Sequence, residues 1–239
     1  MKGDNAEVFE VRKKLAQACR ILYMEGLADF NLGHVRGRGP DQEKIFIKPR
    51  GLGLEEIKPD DVIVVDLGGN LLEGAHSPHI ETVIHTEIYK MRPEVQSVVH
   101  VHPVFTTAFS SVRLDIRHLN QDGVFFPRGV RTFESPELIT TEQQARALAE
   151  KLGEDNAVLM RNHGIATVGS TIEAACLNAL FFERAIKVQL IASLFQEIEA
   201  IPDETALKMY AAFDRYPTRN EEIWHYLTRK LDREGLALG

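Results

Sequence analysis

The octapeptide QSVVHVHP at positions 96–103 constrains this chain more than any other stretch. Its valines mark a buried strand. Successive strand side chains leave on opposite faces, so His100 and His102 emerge on one side of a sheet and Val101 on the other. A fold that accepts this strand must cover one face with apolar side chains and give two imidazoles on the other face a shared partner, because polar groups buried without one are costly.

Around this strand the chain alternates short strand-like and helical segments. Val8, Val11, Leu15, Ala18, Cys19 and Leu22 follow helical spacing from Asn5, with Gly26 as a C-terminal stop. Residues 33–51 read as a hairpin around GRGPDQ, and DVIVVDLGGNLLEG (61–74) as a strand, a Gly-Gly-Asn turn and a return strand. DLGGN lacks a phosphate-loop lysine, which leaves the hairpin turn as its explanation. Residues 80–92 place Ile80, Ile84 and Ile88 on one helical face ahead of Pro93, and a short helix is predicted over 104–111.

The middle, 112–140, reads as irregular, with FFPRGVRTFESPE resembling a surface or interface loop. TEQQARALAEKLG is a helix capped by Thr141, and NAVLMRNHGIATVGS is two strands broken at Asn162-His163-Gly164. A long helix is predicted from Thr171 towards Glu199, then two polar helices over 203–235. In the last of these Ile223, Tyr226, Leu227 and Leu231 share a face, with Trp224 flanking it. This order predicts an α/β fold, a three-layer α/β/α sandwich whose central, largely antiparallel sheet is covered by helices, in one domain spanning 1–239.

A net charge of −7 argues against nucleic acid or an anionic membrane as the main partner. The opening MKGDNAEVFEVRKK has no apolar core of signal-peptide type, and no run approaches the ~18 apolar residues of a spanning helix; the expectation is a cytoplasmic protein. Cys19 and Cys176 each sit in an apolar helical pattern and are expected to be buried free thiols.

His163 interrupts an apolar run, and Glu81 opens the helix that leads into the histidine strand. Three imidazoles and a carboxylate suit Zn²⁺, Mn²⁺ or a related divalent ion, with a position left open for substrate. The alternative is a set of separate hydrogen-bonded histidines, and spacing alone leaves His163 between the two.

The ordered set PHIE(81), His85, RPEVQSVVH(100)VH(102)P and NHG(164), preceded by GHVRGR and IKPRG, resembles the class II aldolase/adducin-head family, which includes fuculose-phosphate aldolase and ribulose-phosphate 4-epimerase. The resemblance covers roughly residues 8–195. It implies that His100, His102 and His163 bind one divalent ion per subunit (Zn²⁺, Mn²⁺ or Co²⁺) and that Glu81 is the acid/base; His85 matches another family position, for which a supporting hydrogen bond is the bland reading. It also implies a homotetramer whose neighbouring subunit completes each pocket, with Phe125, Phe126 and Arg128 of DGVFFPRG as candidates for that contribution.

Sugar-phosphate members of the family carry small hydroxyl residues in three loops, where this chain has Gly33-His34-Val35-Arg36, Arg50-Gly51 and His79-Ile80-Glu81. His34, Arg36, Arg50 and His79 therefore stand where phosphate would be cradled. Guanidinium forks suit carboxylates, so a carboxylate-bearing small molecule is the expected substrate. For Arg36 and Arg50 the bland alternative is a surface ion pair. The favoured reaction is decarboxylation of a hydroxy-aromatic carboxylate through an enolate-like intermediate; the alternatives are aldol cleavage of a hydroxy-keto substrate and an adducin-like structural domain.

Overall fold

The computed structural model describes residues 2–195, 197–213 and 215–238. Its strands are β1 (His34–Arg38), β2 (Ile45–Ile47), β3 (Ile63–Val65), β4 (Leu71–Glu73), β5 (Ser97–Val101), β6 (Arg131–Phe133), β7 (Ala157–Met160) and β8 (Gly164–Gly169). The helices are α1 (Lys2–Met24), α2 (Thr82–Met91), α3 (Val104–Ser110), α4 (Glu142–Leu152), α5 (Ile172–Ala192), α6 (Asp203–Phe213) and α7 (Arg219–Arg233). The strands form one sheet in the order β4-β3-β2-β1-β5-β8-β7-β6, antiparallel throughout except for the parallel pair β6/β7.

Period-two alternation separates two apolar layers. Val35, Phe46, Val64, Val99, Val101, Leu159 and Ile165 face the layer built with α1, α5 and α7. Ile45, Ile47, Ile63, Val65, Val98, Val158, Met160, Ala166 and Val168 face the layer built with α2 and α4. The sheet is thus sandwiched between helices, and His34, Arg36 and His100 share parity with the α2/α4 side. Strand order puts the histidine strand at the centre, flanked by β1 and β8.

Local chemistry accounts for the element ends. Thr141 accepts from Gln144 N while the Gln144 side chain returns the bond, a capping box at the start of α4. Cys19 and Cys176 are buried free thiols, both pushed up in pKa chiefly by burial, Cys19 to about 12. No helix among the described residues is long and apolar enough to cross a membrane.

Several expectations are corrected. The helix after Ile80 begins only at Thr82; Ile80 lies outside it, exposed, while Ile84 and Ile88 are buried. The segment read as irregular contains β6, a three-residue strand too short to show alternation, which forms by pairing with β7. The helix expected to reach Glu199 ends at Ala192, and Leu194 and Phe195 beyond it are exposed. In α7 the buried face carries Trp224, Leu227 and Leu231, whereas Tyr226 is half exposed.

Candidate metal centre

β5 delivers the first two imidazoles. His100 pairs across the ladder with His34 on one side and with Ala166 on the other, whose small side chain leaves room for the rings above it. Nδ1 of His100 lies 3.0 Å from the Ile165 carbonyl, so the ring proton belongs there and Nε2 keeps its lone pair. Nε2 of His102 lies 3.0 Å from Nε2 of His100.

The Asn-His-Gly break brings in the third ring. Asn162 takes a left-handed φ of 56°, which asparagine tolerates, and His163 N closes the turn onto Met160 O. Gly164 sits so close to β5 that a Cβ there would fall 2.4 Å from Val101 O and 2.9 Å from Cδ2 of His102. A glycine is therefore required for β8 to press His163 against its partners, and the His102 and His163 rings stack with centroids 5.0 Å apart.

Glu81 is the residue immediately before α2, and its side chain turns to the histidines instead of capping the helix. Its Oε2 lies 3.7 Å from Nε2 of His100 and its Oε1 3.7 Å from Nε2 of His163, and Oε1 also accepts from Ile139 N. One ligand-type atom from each of Glu81, His100, His102 and His163 lies within 4.8 Å of every other. Burial alone would raise the Glu81 pKa; the nearby His100 and His163 rings and the Ile139 N–H outweigh it and hold the carboxyl down to about 2. Burial, reinforced by the neighbouring rings, lowers His102 to about 2 and His163 to about 4. Neutral imidazoles with converging lone pairs beside an ionised carboxylate are the donor set that a borderline divalent cation takes.

A second group of rings backs the first. His34 is wholly buried, its Nδ1 2.6 Å from Nε2 of His85, and its ring lies 4.4 Å from His79 and 5.1 Å from His100, centroid to centroid. His79 accepts the Glu81 N–H at Nδ1, which leaves the ring proton on Nε2 as a hydrogen-bond donor. Burial is the main cause that lowers His79 to about 4 and puts His34 and His85 well below the ordinary histidine value.

The arginines divide. Arg50 is exposed on the loop after β2, its N–H donating to Ser77 O beside the His79 segment. Arg36 forms no surface ion pair and does not open to solvent: it is fully buried between β1 and α2, donates to Thr82 O, leaves Nε and Nη2 unpartnered, and is lowered to about 9 by burial. Its alternation parity with His34 carries it under α2 instead of to the rim.

Phe125 and Phe126 are likewise corrected. Both are buried in this chain's own core, Phe125 stacked on Phe181 and Phe126 edge-on to Phe182, so neither is free to reach a neighbour's pocket. Arg128 pairs with Asp155 at 3.3 Å.

Two residues near the site escaped the sequence reading. Lys48 is fully buried, donates to Asn31 O, and is close enough for its charge to lower His79; the signal was a lysine continuing the apolar run IFI. Asp29, 3.4 Å from Nδ1 of His102, lies in a loop with no periodicity to mark it.

Residues 13–190 match the Class II Aldolase and Adducin N-terminal domain family. A 3,4-dihydroxyphthalate decarboxylase of Terrabacter sp. is 34% identical over 240 residues, 90% of this chain and 94% of that protein. An L-fuculose phosphate aldolase of Methanocaldococcus jannaschii is 26% identical over 189 residues, 78% and 99% of the two chains. The crystal structure of an aldolase II superfamily protein from Pseudomonas syringae superposes with a TM-score of 0.89 at 25% identity, covering 97% of this chain and 96% of that one. With more than half its length matched, and with that fold, the chain belongs to the class II aldolase and adducin N-terminal domain family.

Proposed function

We propose that this protein is a metal-dependent carbon–carbon lyase that decarboxylates a hydroxy-aromatic carboxylate. The observation that carries the reading is the convergence of the His100, His102 and His163 side chains on Glu81. The three histidines would hold one divalent ion, Zn²⁺, Mn²⁺ or Co²⁺, through Nε2. A bound ion supplies Lewis-acid charge to substrate oxygens beside it.

The chain's own residues handle proton and substrate. Glu81, ionised at neutral pH, is poised to accept the proton of a substrate hydroxyl rather than to donate one at rest. As the carboxylate–ring bond breaks and its electron pair stays on the ring carbon, carbon dioxide leaves and Glu81 returns the proton to that carbon. His79 offers its Nε2–H to a substrate oxygen, and Arg50, exposed on the loop that bonds Ser77, would take a carboxylate. His85 orients His34 behind them.

Charge favours an anionic substrate. Arg36 and Lys48 each donate to a main-chain oxygen rather than to a carboxylate, and the charge of both lowers the nearby His79. The hydroxyl residues that cradle phosphate in sugar-phosphate members are replaced here by Arg36, Arg50, His79 and Ile80. Similarity to a decarboxylase at 34% identity over nearly full length supports the same choice.

Aldol cleavage is the second reading, favoured by the similarity to a fuculose phosphate aldolase. An adducin-like structural role would leave the buried histidine set without a purpose. The deciding experiment incubates ion-loaded protein with a panel of hydroxy-aromatic acids and hydroxy-keto acids, detecting carbon dioxide and aldehyde separately. Carbon dioxide from an aromatic acid is expected; aldehyde as the only product reverses the choice, and neither product with any substrate favours the structural role.

A further inference from the structure

We infer that Asp29 is the positioning residue for His102, the carboxylate that accepts its Nδ1–H and fixes the ring for ligation through Nε2. The inference rests on the metal-centre reading and adds to it a residue from outside the histidine motifs.

Each ligand ring has a far side that faces away from the ion. A histidine that ligates through Nε2 carries its proton on Nδ1, and an acceptor there sets the tautomer, aims the ring and raises the basicity of the ligating nitrogen. For His100 that acceptor is the Ile165 carbonyl. For His102, Nδ1 is buried and makes no hydrogen bond among the described residues, and Asp29 Oδ2 lies 3.4 Å away. The separation is slightly long for a hydrogen bond. A bond of this kind tightens when the ring proton is committed to Nδ1, as ligation requires.

The loop that carries Asp29 is held in place from several sides. Leu32 N closes a turn onto Asp29 O, and Phe30 takes a left-handed φ of 47°, an uncommon conformation for a bulky residue. Lys48 reaches from the end of β2 to donate to Asn31 O. Gly33, with φ 70°, seats the loop against β5, where a Cβ would lie 3.4 Å from His100 O and from Val101 Cγ1. The buried Lys48 thus holds the loop two residues beyond the carboxylate that faces His102. The side chain of Asp29 is about one third exposed, so it meets His102 from the solvent side of the centre.

The test compares wild type, Asp29→Asn and Asp29→Ala, each stripped by chelator and titrated with Zn²⁺ in competition with a chromophoric chelator. Asp29→Ala is expected to weaken the ion by about tenfold to a hundredfold. Asp29→Asn, which keeps an acceptor oxygen and loses the charge, is expected to fall between the two. The ion-free variants are expected to melt with wild type, and the visible bands of the Co²⁺ forms to shift, a change that a role confined to loop structure does not produce. If both variants hold Zn²⁺ within twofold of wild type, the assignment of Asp29 is overturned while the metal centre stands. If wild type takes up no ion, both readings fall together.

Discussion

At the residue scale, burial and its compensation divide the centre. Glu81 is held down to about 2 against its own burial by its neighbours His100 and His163 and by a main-chain N–H, while burial chiefly lowers His102 to about 2 and His163 to about 4. Ligation and proton transfer are therefore separable by substitution. Glu81→Gln is expected to retain the ion with turnover reduced by roughly 10²–10⁴, whereas His102→Ala is expected to lose the ion itself. Metal content by mass spectrometry beside turnover checks both; two variants with full metal and full turnover would refute the assigned roles. Arg36 illustrates how a residue type misleads at this scale. Guanidinium beside a pocket suggests a substrate clamp, but one more step along β1 from Val35 points it under α2.

At the element scale, His100 sits within β5, and the other three members of the centre owe their places to how a strand or helix ends. His102 follows the last residue of β5, His163 precedes the first of β8, and Glu81 precedes the first of α2, so the chemistry gathers where regular hydrogen bonding stops. α4 packs against α2 and helps hold it over the sheet. Its start depends on the Thr141 cap. Thr141→Ala is expected to cost about 1 kcal/mol of stability, read as a lower urea midpoint with an unchanged slope, and to leave metal affinity at wild-type level. The boundaries of α4, β7 and β8 were legible because cap, periodicity and a left-handed asparagine all signal locally. β6 and the end of α5 were not: three residues show no period, and amphipathic spacing continued past Ala192 although the layer to pack against did not.

At the scale of the whole molecule, the ion is expected to couple folding to pH. His79 and His163 have folded values of about 4 and His102 of about 2, all below the ordinary 6.5, so the unfolded chain binds more protons once pH drops below about 6.5. Stability of the ion-free protein is therefore greatest above that value and is lost as pH falls towards 4; Glu81, lowered from 4.5 to about 2, extends the loss below that. An ion at a hundredfold excess over its Kd should add about 2.7 kcal/mol at neutral pH, and protons competing for the imidazoles should erode that gain on acidification. Urea midpoints across pH 4–8, with and without chelator, provide the measurement. A midpoint indifferent to both variables would contradict the arrangement.

Sequence by itself determined the alternation of strands and helices, the single face shared by His100 and His102, and the break at Asn162-His163-Gly164, because these follow from backbone geometry within a few residues. The order of strands was beyond its reach, and that order decides the rest. Placing β1 and β8 on either side of β5 brings His34 and His163 to the histidine strand, while the packing of α2 lowers Glu81 onto it and seals Arg36 beneath. Local spacing carries no information about which distant segments become neighbours; only burial of the two apolar layers, summed over the whole sheet, selects that arrangement.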